Sequence, residues 1–349
     1  MRRSLLVVGV AVLVVLTGCA GVPGGEVGVE SDATDGDGTA DTSDPPPEVD
    51  GELELHHIDV GQADATLIVT PADETILIDT GDWRQGGAGV IEYLEAHDID
   101  RIDHLVATHA HADHIGGHDA VIEWAETDGD GIGTAYDSGV AHTSQTYDRY
   151  LDAVEEYDVE LLIVEAGDEL PIDGNVTGLV VNPPAGDSGS DLHHNSVSLV
   201  FEFGEFRYVT TGDAETDAEE RMVEAWRSDL DADAYQAGHH GSSTSSTDPF
   251  LDAVDPEIAV VSSAYDSQYG HPHDEVLTAF AERDIETYWT GVHGDVVLRT
   301  DGNGGVDVAT GDAVSTDATD LLDEKPDDDA ESLVSPAPDA LTVHTGVTA

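Results

Sequence analysis

The stretch ATHAHADHIGGH, residues 107–118, packs His109, His111, Asp113 and His114 directly behind the apolar run Leu105-Val106-Ala107. An apolar run that ends in imidazoles and a carboxylate reads as a buried strand delivering polar groups to a sheet edge. A short loop there can turn His109 and His111 toward one cation and Asp113 and His114 toward a second. A cluster of surface histidines is the competing reading, and the rest of the chain must decide between them. Cys19 is the only cysteine, so no thiolate site and no disulfide framework is available, and a metal would rest on nitrogen and oxygen ligands.

Outward from this stretch, strand-like runs recur at 53–60, 65–70, 75–79, 104–108, 160–164, 177–181, 196–203, 206–211, 232–236, 258–262, 287–289 and 295–300. Helical patterns fall at 88–96, 117–126, 145–156, 216–227, 248–254 and 274–283. Two hairpin-rich sheets with helices outside fit this order better than one parallel sheet, which makes the class α/β (α+β). No internal repeat is visible. The polar clusters sit at strand ends: Asp79-Thr80-Gly81, His109 to His114, His193-His194-Asn195, Gly212-Asp213, His239-His240-Gly241 and Tyr269-Gly270-His271-Pro272. Ends from such distant segments can converge on one edge.

With these blocks in hand, the chain resembles the metallo-β-lactamase fold superfamily, whose signature H-x-H-x-D-H is here His109-Ala110-His111-Ala112-Asp113-His114. The resemblance implies a four-layer αββα sandwich and two divalent transition-metal ions, zinc or manganese, between which the donor set does not choose. It implies His109, His111, Asp113 and His114 as ligands and Asp213 as the carboxylate shared by both metals. His194, four residues before Ser198, takes the family's position for a further ligand of the first metal, with His193 as competitor. His239 is preferred over His240 to complete the second site; the other would be orienting or substrate-facing. Asp79 matches an early Asp that orients ligands through hydrogen bonds, a plain Asx turn being the alternative. Ile58-Asp59-Val60-Gly61-Gln62-Ala63-Asp64, Asn195 to Val200 including Ser198, His239 to Ser243 and Tyr269 to Pro272 point more narrowly to the metallo-hydrolase domain of ComEC-type competence proteins. On that basis Asp64, Asn195, Ser198 and Tyr269 are expected beside the metals or the substrate. Ala63 departs from the usual glycine, while the complete H-x-H-x-D-H favours a competent two-metal centre.

Residues 1–18 carry Arg2-Arg3, an apolar run from Leu5 to Leu16 and then Leu16-Thr17-Gly18-Cys19, the order of a secretory signal, and the last four resemble a lipobox. Cys19 is then a lipidation site, with an ordinary signal peptide as the alternative, and the protein is expected to be exported and anchored to the outer face of the cell membrane. Residues 19–50 are poor in large apolar side chains and read as a disordered acidic tether, 51–310 as the hydrolase domain, and 311–349 as a second acidic tail without a fold.

Asp and Glu number 75 against 11 Lys and Arg, a formal charge of −64. Such self-repulsion destabilises a compact state in dilute buffer, whereas molar salt shortens screening to about 3 Å, so the balance points to high salt. It does not decide the substrate, because salt also removes most electrostatic attraction for nucleic acid. Basic residues are too scarce to mark a phosphate track and no aromatic run stands out. The expected activity is hydrolysis by a hydroxide bridging two metals, catalysed around Asp113 and Asp213. His271 would stabilise developing charge or protonate the leaving group, or else merely cap the following helix. The substrate expected first is extracellular DNA or another phosphodiester, the alternative being small esters or lactones; no protein partner is inferable. His142, outside every motif, is expected to matter little.

Overall fold

The computed structural model describes residues 49–186 and 188–326. The expected signal segment, Cys19 and the stretch from Asp327 onward lie outside the described residues. In chain order the strands are β1 (Leu53–His57), β2 (Thr66–Val69), β3 (Thr75–Ile78), β4 (Ile102–Ala107), β5 (Ile132–Asp137), β6 (Glu160–Ile163), β7 (Glu169–Leu170), β8 (Val176–Asn182), β9 (Ser198–Phe203), β10 (Phe206–Thr210), β11 (Ala234–Gln236), β12 (Ile258–Val261), β13 (Glu286–Trp289), β14 (Val296–Thr300) and β15 (Asp307–Thr310). The helices are α1 (Ala88–Ala96), α2 (His118–Thr127), α3 (Gln145–Glu156), α4 (Thr216–Leu230), α5 (Asp248–Val254), α6 (Asp274–Ala281), α7 (Thr290–His293) and α8 (Ala318–Glu324). One sheet runs β15-β14-β1-β2-β3-β4-β5-β6 and the other β13-β12-β11-β10-β9-β8-β7.

The alternation of side chains along the strands makes the layers. Leu53, Leu55, Ile68, Ile76, Ile78 and Val106 of the first sheet meet Leu199, Phe201, Phe203, Tyr208, Ile258 and Val260 of the second in one buried cluster between the sheets. The opposite face of the first sheet, through Leu67, Leu77, Leu105 and Ala135, packs on Val90 and Leu94 of α1, Val121 and Ile122 of α2 and Tyr150 of α3. The opposite face of the second, through Val200, Val209, Tyr235 and Val261, packs on Met222 of α4, Phe250 of α5, Phe280 of α6 and Leu321 of α8. Three apolar interfaces stacked in this way are a four-layer αββα sandwich.

Several short elements depart from the sequence expectation: β5, β7, β15, α7 and α8 were all outside the runs read from the sequence, and the first and last of these matter most. β5 was not anticipated because Gly131 and Gly133 weaken its pattern; a β-carbon at Gly133 would lie 2.3 Å from the Asp103 carbonyl oxygen, so glycine is what lets β5 pair with β4. The domain also does not stop at 310: Ala318 and Leu321 are buried against the second sheet's helices, and Asp317 bridges to Glu286. Acidic composition hid a short amphipathic helix whose apolar side is covered.

β3 through β6 pair in parallel, as do β10 through β13. The loops leaving the carboxyl ends of β3, β4, β10, β11 and β12 carry the polar clusters, so each sheet presents them along one edge.

Candidate metal centre

Backbone geometry aims the imidazoles before any cation is considered. Asp79 leaves β3 in a left-handed conformation, φ 59°. Its carboxylate accepts from Thr108 N at 2.9 Å, Thr108 Oγ1 at 2.6 Å and His114 Nδ1 at 2.7 Å. With its Nδ1 proton held there, His114 presents a bare Nε2 to the other side. His240 is fixed alike, its Nδ1 donating to the Ser262 carbonyl at 3.0 Å. His239 and His240 both take left-handed backbone, φ 51° and 57°, a cost of about 1–3 kcal/mol each that places both rings at the edge. Two glycines allow the close approach: a β-carbon at Gly116 would sit 2.1 Å from Trp83 N, and one at Gly212 would sit 2.5 Å from Ser196 Oγ.

Asp213, buried at the end of β10, joins two groups. Its Oδ2 is 3.5 Å from His109 Nε2, and His109, His111, His193 and Asp213 offer donor atoms all within 4.8 Å of one another. Its Oδ1 is 3.1 Å from His114 Nε2 and 3.8 Å from His240 Nε2, while Asp113 Oδ2 lies 3.6 Å from His240 Nε2. Asp64 is also within reach of this second group, but its Oδ2 stands on the Nδ1 side of both rings, 3.7 Å from His240 and 3.9 Å from His114, and its Oδ1 accepts from Gln236 Nε2 at 2.8 Å. It is therefore an orienting carboxylate behind the imidazoles. Three buried atoms that face each other, His114 Nε2, His240 Nε2 and Asp213 Oδ1, make no hydrogen bond. Buried polar atoms are seldom left so. Nitrogen and carboxylate oxygen with no sulfur suit a divalent transition metal, and the set fits two such ions sharing Asp213.

The structure separates neighbours that the sequence left as rivals. His194, expected as a ligand, points away: its ring stands 2.8 Å from Arg221 Nη1, and Arg221 also bonds Asn182. His193 takes the place beside His109 and His111, its ring centroid 4.9 Å from that of His111. His240, not the preferred His239, closes the second group. His239 instead stands 3.5 Å from Asp213 Oδ2 through Nε2, with Glu215 Oε1 3.2 Å from its Nδ1 and 3.2 Å from His193 Nδ1. Glu215 escaped the sequence reading because one carboxylate in an acidic chain carries no signal. Asn195 and Ser198 do not reach the pocket: Asn195 accepts from Ser188 and donates to the Asp191 carbonyl at 2.7 Å, and Ser198 Oγ donates to the Thr211 carbonyl at 3.3 Å. Their role is to hold the His193 loop and the start of β9. His142 is not remote either, its ring lying 6.1 Å from that of His111.

A pocket of about 280 Å³ opens over the cluster, lined from one sheet by His111, Ala112 and Asp113 and from the other by His193, Asp213, His239, His240, Tyr269 and His271. Burial opposes charge on Asp213, yet His114, His240 and His109 hold its carboxyl well below the usual range. Burial likewise opposes the His240 cation, but Asp213 and Asp64 push that group up to about 9. In the metal-free chain a second proton, on Nε2 of His114 and of His240, balances the buried carboxylates, and a cation bound there would displace it. His109 and His111 are kept neutral chiefly by burial, His111 at about 4, as ligands must be. Burial, then His240 and His273, lowers His271 to about 3. A neutral His271 facing Gln62 Nε2 at 3.2 Å suits hydrogen bonding to developing charge, not proton delivery from an imidazolium.

Residues 58–264 match the family model described as the metallo-beta-lactamase superfamily. The chain is 30% identical over 274 residues to ComE operon protein 3 of Bacillus subtilis, covering 74% of this chain and 33% of that protein. It is 30% identical over 258 residues to competence protein ComA of Neisseria gonorrhoeae, covering 72% and 32%. The chain therefore spans about a third of the length of these curated relatives. Among solved structures it is similar to the metallo-beta-lactamase fold protein YhfI of Bacillus subtilis, with a TM-score of 0.45 and 13% identity over 69% of this chain and 97% of that one.

Proposed function

The chain belongs to the metallo-β-lactamase superfamily, and on that premise we propose that it is a metal-dependent phosphodiesterase acting on extracellular nucleic acid. The observation that carries the proposal is Asp213, buried with one oxygen toward each of two imidazole groups. Two-cation sites of this kind suit in-line displacement at phosphorus. Two bound divalent ions, zinc or manganese, would supply Lewis acidity and a water acidic enough to react near neutral pH. His109, His111, His193 and Asp213 would hold one ion, and Asp113, His114, His240 and Asp213 the other.

The remaining side chains act on position and charge. Asp79 and the Ser262 carbonyl fix the tautomers of His114 and His240, and Glu215 does the same for His193 and His239. Neutral His271 and Tyr269 line the mouth, where they meet the substrate. The competence relatives support nucleic acid as the substrate, although two thirds of each lies outside the match. Among the described residues no helix is long and apolar enough to cross a membrane; we place the anchor on Cys19 and the working medium at high salt, the latter from the −64 charge.

The test assays the purified chain in molar salt with manganese or zinc against DNA, bis-p-nitrophenyl phosphate and a lactone in parallel. Hydrolysis of both phosphodiesters is expected. Turnover of the lactone alone would assign the site to small esters and end the proposal.

A further inference from the structure

Trp83 lies in the loop that leaves β3, four residues beyond Asp79. Its backbone N donates to the Ala112 carbonyl at 2.9 Å, and Ala112 lines the pocket over the metal ligands. The side chain anchored so firmly is nevertheless 50% exposed. The guanidinium of Arg84 lies 5.1 Å from the ring centroid and pairs with Asp82 at 3.1 Å. On the second sheet's side of the same pocket, Tyr269 is 57% exposed. The chain has 4 tryptophans and few aromatics, and this one stands half in water, its backbone one hydrogen bond from a residue that lines the pocket.

We propose that Trp83 is a stacking platform for an unpaired nucleobase next to the phosphate in the pocket, with Tyr269 facing the neighbouring nucleotide, so that single-stranded nucleic acid is the substrate class. This rests on the phosphodiesterase reading. The physical case is one of elimination between forces. A chain of net charge −64 repels a polyanion at low salt, and at high salt the phosphates gain little from any cation, so long-range attraction contributes nothing useful. Stacking is short-ranged and survives salt, at about 1–3 kcal/mol per base. A duplex keeps its base faces covered and cannot use it. Arg84 over the indole adds a cation beside the platform.

The experiment measures binding of a labelled oligothymidylate with cleavage-resistant phosphorothioate linkages by anisotropy in molar salt, with the metal-loaded chain. Wild type is expected to bind the single strand in preference to a blunt duplex. Trp83→Ala is expected to weaken single-strand binding about 5- to 100-fold, and Trp83→Phe to recover most of it. Ile163→Ala, an exposed apolar residue of the edge strand β6, serves as the control and leaves binding unchanged. Melting curves verify that each variant is folded. Absence of single-strand binding by wild type, equal affinity for duplex, or an undiminished Trp83→Ala overturns the proposal. Trp83-dependent binding without hydrolysis of any phosphodiester would instead remove the activity and leave the stacking surface. Hydrolysis of DNA with an undiminished Trp83→Ala would do the reverse.

Discussion

Replacing Asp79 by Asn keeps the side chain's shape but turns one accepting oxygen into an NH2 donor and removes a buried negative charge, which makes it the sharpest test of how the centre is aimed. Asparagine tolerates the left-handed backbone at this position and has the shape of aspartate. The amide has two orientations. With its nitrogen toward Thr108 N, two buried donors would face each other at a cost of about 1–3 kcal/mol. With its oxygen there, the Thr108 amide bond of 2.9 Å is kept and the NH2 group falls against His114 Nδ1, where the carboxylate accepted at 2.7 Å. The second orientation prevails, and the ring must carry its proton on Nε2, the atom 3.1 Å from Asp213 Oδ1. That proton occupies the position a cation needs. Loss of such an orienting group typically costs 10- to 100-fold in metal affinity, about 1.4–2.7 kcal/mol. Competition against a chromogenic chelator measures the affinity, and circular dichroism of the metal-free variant reports the fold. A folded Asp79→Asn variant that bound both ions as tightly as wild type would refute the tautomer argument.

Asp213→Asn should remain folded but lose one or both ions and nearly all hydrolysis, because an amide cannot supply the negative charge shared by two cations; elemental analysis and turnover check both. His193→Ala should lose metal and activity while His194→Ala keeps them, and the reverse result would restore the sequence preference for His194. Burial raises Asp137 to about 6 from an ordinary 3.8, against the Gly139 amide that favours the anion. A carboxyl whose folded pKa is raised stabilises the fold below its unfolded pKa, so wild-type stability should decline as pH rises from about 4 to about 6. Asp137→Asn should flatten that decline by up to about 3 kcal/mol, read by chemical denaturation across that range. Cys19→Ala should move the protein out of the membrane fraction; a variant still pelleting after a salt wash would place the anchor elsewhere.

The sequence alone determined the two-sheet architecture, twelve of the strands, most helices and the presence of a cluster of metal-ligating side chains. Near-continuous apolar runs mark buried strands such as β9 and β12, and the six residues His109 to His114 are dense enough to be read without a partner. It also determined that ligands would come from nitrogen and oxygen, since Cys19 is the only cysteine. What it left open were choices between adjacent residues. In a strand, neighbours point to opposite faces and one can be assigned by parity. His239 and His240 both adopt left-handed backbone, so parity fails, and both rings reach the centre in different roles. His193 and His194 stand in a loop pinned by Asn195 and Arg221, and only those contacts decide which ring faces His111. The tertiary structure likewise supplied Glu215, β5 and α8, because a lone acid, a glycine-flanked strand and a short acidic helix acquire meaning only from what packs against them.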